Sequence, residues 1–152
     1  MRILKSPYGN AAVTSMISLV YAAIFILTSG HLELERILTH GTTLNSSFWN
    51  GWSIFLRQGN LKYIGYLYLA VAACMIILSL IRKRAYDEYQ VNIFIKSLIA
   101  AGVLLLVLFP VALLLILSDP NYAVETISLL IVVHWSIFLA VNLLHTVKWS
   151  RE

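Results

Sequence analysis

Charge is what this sequence has least of. Only 12% of its 152 residues are Asp, Glu, Lys or Arg, whereas 60% are hydrophobic. A soluble domain carries about 25% charged residues. A chain of this length makes one domain, and a single aqueous core cannot hide so much apolar surface. A water-soluble globule is therefore excluded, and lipid is the expected solvent.

Cysteine is nearly absent as well, with Cys74 alone in the chain. That excludes an intrachain disulfide, a CxxC pair and a thiolate metal cluster. Cys74 lies in the middle of an apolar run, so a buried structural thiol is expected there rather than a reactive one. Acids are missing from the long apolar runs, where Glu125 is the only carboxylate. The chain has no HExxH, no phosphate-cradling glycine loop and no GxxxG. It also lacks a convincing internal repeat of the kind transporters use. With no paired acids, nucleophile–base set or metal cluster in or beside the runs, it is not expected to be an enzyme.

What is present is four apolar runs, at residues 11–29, 63–81, 93–117 and 124–147. Each is long enough to cross roughly 30 Å of hydrocarbon as a helix. The first exceeds the apolar core of a signal peptide and no Ala-x-Ala site follows it, so it reads as a retained anchor. Lys96 lies within a turn of the third run's start and can snorkel. Pro110 lies deep in that run, where it removes one backbone hydrogen bond and is expected to kink the helix. Glu125 falls in the first turn of the fourth, where the helix dipole favours an acid.

The basic residues are spread over the run ends, which is a topology signal and no nucleic-acid footprint. Arg2, Lys5, Arg82, Lys83, Arg84, Lys96, Lys148 and Arg151 fall on one side, and Arg36, Arg57 and Lys62 on the other. The richer side faces the cytoplasm. The turn through Asp119 and Pro120 carries an acid and no base, as suits an external hairpin. The expectation is an all-α integral membrane protein of one domain, residues 1–152: an up-down four-transmembrane-helix bundle with both termini cytoplasmic, in a bacterial plasma membrane.

Residues 30–62 form the only sizeable external loop, too short for an independent domain. Its first half, from His31 to His40, reads as a short helix stopped by Gly41. Its second half opens with Ser46 and Ser47, which can cap a helix. Phe48, Trp52 and Phe55 recur at helical spacing there, and an aromatic face of that kind lies in the membrane interface. Tyr63, Tyr66 and Tyr68 extend the aromatic belt. The same aromatics can serve as a lid or a docking surface. His31 and Glu35 stand four residues apart and are weak candidates for a metal, since two ligands are short of the usual three or four. Asn45 begins a glycosylation sequon, a triplet frequent by chance.

Inside the runs, Ala11, Ser15, Ser18, Ala22 and Ser29 fall on one stripe of the first helix. Small residues let membrane helices approach closely, so Ser15, Ser18 and Ala22 mark a candidate packing face. Thr14, Tyr21 and Thr28 add hydroxyls beside it, and a water-lined path is the sharper alternative. Ser97 and Ala101 give the third run a smaller face. In the fourth run, His134 is near mid-membrane, and His145 stacks on its stripe about 16 Å away along the axis. Asn142 is adjacent.

An ionisable side chain inside a span is a functional candidate. Three readings stay open for His134, Asn142 and His145. They are polar glue to the hydroxyls of the first span, proton or ion handling in an oligomeric pore, and a haem b or quinone site. No other run holds a histidine, so a haem would need a partner chain or a second copy. The leading expectation is a non-catalytic protein that acts by helix contact, as an accessory, immunity-type or assembly subunit. Its partners are then the bilayer and another membrane protein or itself.

Overall fold

A computed structural model describes residues 5–38, 46–81 and 85–149. Arg2, His40, Gly41, Asn45, Arg82, Lys83, Arg84 and Arg151 lie outside the described residues, and with them the sequon and much of the basic flank. The described residues are almost wholly helical. They form α1 (Pro7–Thr28), α2 (Leu32–Ile37), α3 (Ser47–Arg57), α4 (Leu61–Ile81), α5 (Glu88–Ser118) and α6 (Ala123–Trp149), with a 3-10 turn at Pro120–Tyr122 before α6. Helices α1, α4 and α5, and α6 with its leading turn, are each long and apolar enough to span a membrane.

All four long helices start earlier than the apolar runs do, and in α1 and α5 polar caps set the start. Ser6 caps α1, accepting from Gly9 N at 3.1 Å, and Pro7 fills the first turn, where its missing N–H costs nothing. Asp87 and Gln90 form a reciprocal capping box at the head of α5, with bonds of 2.7 and 3.3 Å. Asp119 ends α5 and accepts from Asn121 N at 3.1 Å in the turn that follows. Helix α5 runs on through Pro110 without interruption.

The closest pair is α1 with α4, followed by α5 with α6; α6 also touches both α1 and α4. Helices α1 and α4 run antiparallel. Ser15 Oγ donates to the Ala72 carbonyl at 3.3 Å, and about two turns further along Ala22 lies against Gly65. A Cβ on Gly65 would stand 3.1 Å from the Ala22 carbonyl and 3.0 Å from Ile26 Cγ1, so glycine sets the spacing of the two backbones. At the end of this pair Ser29 Oγ donates to the Gly59 carbonyl and accepts from Lys62 N at 3.2 Å. Gly30 and Gly59 face each other there with φ of 76° and 67°, a backbone region that favours glycine. The chain therefore leaves α1 and enters α4 at one point.

Helix α5 is the peripheral one. Only 11% of its most apolar stretch is buried inside the molecule, against 28% for α1 and for α4. Its inward residues are Gln90, Val91, Phe94, Ala101 and Ala112.

Three expectations change. Cys74 is exposed on the outer face of α4, whose inward line is Leu61, Gly65, Tyr68, Ala72, Met75 and Ser79. For a helix in lipid, the middle of an apolar run says nothing about which way a side chain points. Tyr68 belongs to that inward line and not to an aromatic belt, whereas Tyr63 and Tyr66 are exposed. The helix expected from His31 to His40 spans only Leu32–Ile37, with His31 as its N-cap and Leu38 already extended.

Candidate functional site

The polar side chains of α1 and α6 meet at two levels. Near the start of α1, Asn142 Oδ1 accepts from Asn10 Nδ2 at 3.1 Å and from Thr14 Oγ1 at 3.2 Å. Asn142 Nδ2 donates to the Phe138 carbonyl of its own helix at 2.9 Å. About two turns away, Trp135 Nε1 donates to Ser18 Oγ at 3.1 Å, and its ring stacks on Tyr21 with centroids 4.9 Å apart. Helix α4 joins from the other side. Tyr68 Oη donates to the Val132 carbonyl at 2.9 Å and lies 2.8 Å from Ser136 Oγ. In hydrocarbon no water competes for these groups, so every partner must come from the protein.

The candidate packing face is thus divided among neighbours. Ser15 and Ala22 contact α4, and Ser18 contacts α6. The inward face of α1 runs through Asn10, Ala11, Thr14, Ser18, Ala22 and Phe25. Thr28 turns its hydroxyl back on its own helix, to the Ile24 carbonyl at 2.7 Å. In α5, Ser97 does the same toward Ile93 at 3.0 Å.

The three polar residues of α6 have different surroundings. Asn142 is buried in the network with α1. His145 is buried among aromatic rings, stacked on Phe94 at 4.6 Å and edge-on to Tyr86 at 4.8 Å. His134 is half-buried, and its ring nitrogens make no hydrogen bond to any described residue. Among the described residues its ring neighbour is Phe138, at 5.3 Å.

His134 lines two hollows. One, of about 290 Å³, lies between α1 and α5 over α6 and is lined by Asn10, Thr14, Phe94, Trp135, Phe138 and Asn142 among others. The second, of about 330 Å³, runs between α5 and α6 past Leu105, Leu106, Phe109, Leu130 and Ile131.

Outside the spans, α3 docks on the head of α6. Ser53 Oγ donates to Glu125 Oε1 at 3.0 Å, and Trp52 Nε1 donates to the Glu125 carbonyl at 3.0 Å. Glu125 is fully buried. The inward side of α3 is therefore Trp49, Trp52, Ser53 and Leu56, rotated from the aromatic line expected, and Phe48 is exposed. A small hydroxyl residue at position 53 carries no hydropathy signal that would have marked it. His31 spends its ring nitrogen on capping α2, accepting from Glu33 N at 3.4 Å, while Glu33 pairs with Arg36 at 2.9 Å. No group of three or more potential metal ligands converges among the described residues.

The chain matches no family model, no curated protein and no solved structure. What it does must be argued from these contacts.

Proposed function

We propose that this chain is a non-catalytic membrane protein that works by lateral helix contact, as an accessory, immunity-type or assembly subunit of a larger membrane complex. In this reading the four long helices form an up-down bundle in a bacterial plasma membrane, with both termini in the cytoplasm. Helices α2 and α3 lie on the outer interface. The carrying observation is the division of labour among the spans. Helices α1, α4 and α6 spend their polar groups on one another, while α5 stays peripheral and turns a continuous apolar face outward. Lipid alone can cover that face, and so can a partner helix.

The pore reading has less support. The hydroxyls that would line a path, at Thr14, Ser15 and Ser18, are engaged in bonds between helices.

The test is purification of the tagged full-length chain from its native membrane in a mild detergent, compared with Val103→Trp and Val107→Trp on the outer face of α5. A stoichiometric membrane partner lost in these variants supports the reading. A monodisperse chain with no partner, leaking protons when reconstituted alone into liposomes, overturns it in favour of the pore.

A further inference from the structure

We propose that the two hollows lined by His134 form one binding site for a lipid-soluble, neutral, ring-headed amphiphile of the quinone class. The proposal stands independently of the accessory reading, because it rests on the inner side of α5 rather than its outer face.

The first observation is continuity. The linings of the two hollows share His134, and on α5 they follow one face, from Phe94 and Leu98 to Leu105 and Phe109. From Asn142 to Ile131 the site extends about 16 Å along α6. Each hollow alone is at the lower end of the roughly 300–1,000 Å³ of small-molecule sites. Helices α1 and α5 leave this space between them because both pack on α6 rather than extensively on each other.

The second observation is the state of His134. It sits near the middle of α6, where its polar ring atoms have no competing water. Asn142, Trp135, Tyr68 and Ser18 have all found partners in this region, and His134 has not. A polar ring edge that faces hydrocarbon without a hydrogen bond is unfavourable, because nothing there replaces the water it has lost. A ligand carbonyl accepting from the imidazole N–H would remove that cost.

The lining selects the class of ligand. Among the described residues no charged side chain lines either hollow, which disfavours an anionic or cationic head. Three aromatic side chains, Phe94, Trp135 and Phe138, surround the end nearer Asn142, which suits a flat ring. The other end is, apart from His134, wholly apolar and opens outward past Leu106, which suits a chain. The ring therefore sits among the aromatic residues, with one carbonyl on His134 and the tail along Leu105, Phe109 and Ile131.

The test uses the full-length chain in phosphatidylcholine nanodiscs, titrated with an oxidised benzoquinone bearing a ten-carbon chain. Tryptophan fluorescence is the readout, since Trp135 borders the ring position and a quinone quenches it. The expected result is a saturable quench whose midpoint shifts at least tenfold in His134→Leu and which is lost in Leu98→Trp, a variant that fills the space. Decanol, which has the chain without the ring carbonyls, should not compete. A quench linear in quinone and equal in all three proteins is simple partition into the bilayer and overturns the proposal. Full competition by decanol overturns it too, by making the site a generic groove for acyl chains. Helical circular dichroism accompanies each titration. Should His134→Leu not fold, Leu98→Trp and the decanol competition decide the matter.

Discussion

Asn10 and Asn142, 132 residues apart in sequence, share a buried hydrogen bond of 3.1 Å that ties the head of the first helix to the tail of the last. Thr14 adds a second donor to the same oxygen at 3.2 Å. One acceptor thus serves two donors from successive turns of α1. Replacing Asn142 by Leu should destabilise the protein by about 1–2 kcal/mol, since both donors lose their partner at once. A double-mutant cycle of Asn142→Leu with Asn10→Ala, read by unfolding in mixed micelles, should give a coupling of about 0.5–1.5 kcal/mol. Coupling near zero would show that the pair does not hold the helices together.

Gly65 predicts a steric effect of comparable size. An added Cβ meets Ile26 Cγ1, which can rotate away, and the Ala22 carbonyl, which belongs to the backbone and cannot. Gly65→Ala should cost about 1–3 kcal/mol through overpacking, and Gly65→Leu should separate α1 from α4 altogether. Thermal unfolding in detergent measures the first. Crosslinking between cysteines placed at Ile26 and Ile64 measures the second. Gly102 has open space around its missing side chain, so Gly102→Ala serves as the control and should leave stability the same or higher.

How much of this was legible in the sequence depended on the kind of signal. The four long apolar helices follow from run length alone, because a charge-free stretch near twenty residues has few other uses. Facing was legible only where residue size varied. The small residues of α1 marked its contact side, although Thr14 and Asn10 carry as much of the contact with α6 as Ser18 does. In α4 the residues are apolar all round, so nothing separated Cys74, which faces out, from Tyr68, which faces in. On α3 the large aromatic residues drew attention, and Trp52 does bond α6, but Ser53, which shares that docking, gave no signal. Its partner Glu125 lies 72 residues on, and pairing at that range leaves no trace in local pattern.

The α3 contact can be released on its own. Ser53→Ala together with Trp52→Phe removes the Ser53 and Trp52 side-chain bonds to Glu125 and leaves the helix-to-helix bonds within the spans in place. Hydrogen exchange of residues 47–57 should rise by about tenfold or more, corresponding to a loss of roughly 1.4 kcal/mol of local protection. Exchange within α1 and α4 should not change. If all helices loosen together, α3 is part of one cooperative unit with the spans.

Neighbouring residues on α6 should respond in opposite ways. Trp135 donates to Ser18 and stacks on Tyr21, so Trp135→Leu loses a hydrogen bond and a ring contact and leaves a void. A loss of about 2–4 kcal/mol is expected. His134 has no hydrogen bond to lose, and Leu suits its half-buried place between Leu130 and Phe138 better than an unsatisfied imidazole does. His134→Leu should therefore leave stability unchanged within about 0.5 kcal/mol, or raise it. Equilibrium unfolding of both variants in the same detergent decides the point. A destabilised His134→Leu would mean that the imidazole has a structural partner, and the ligand assigned to it would lose its main support. An unharmed one leaves a polar group at mid-span with no structural use, which makes a bound ligand the simplest reason for its presence.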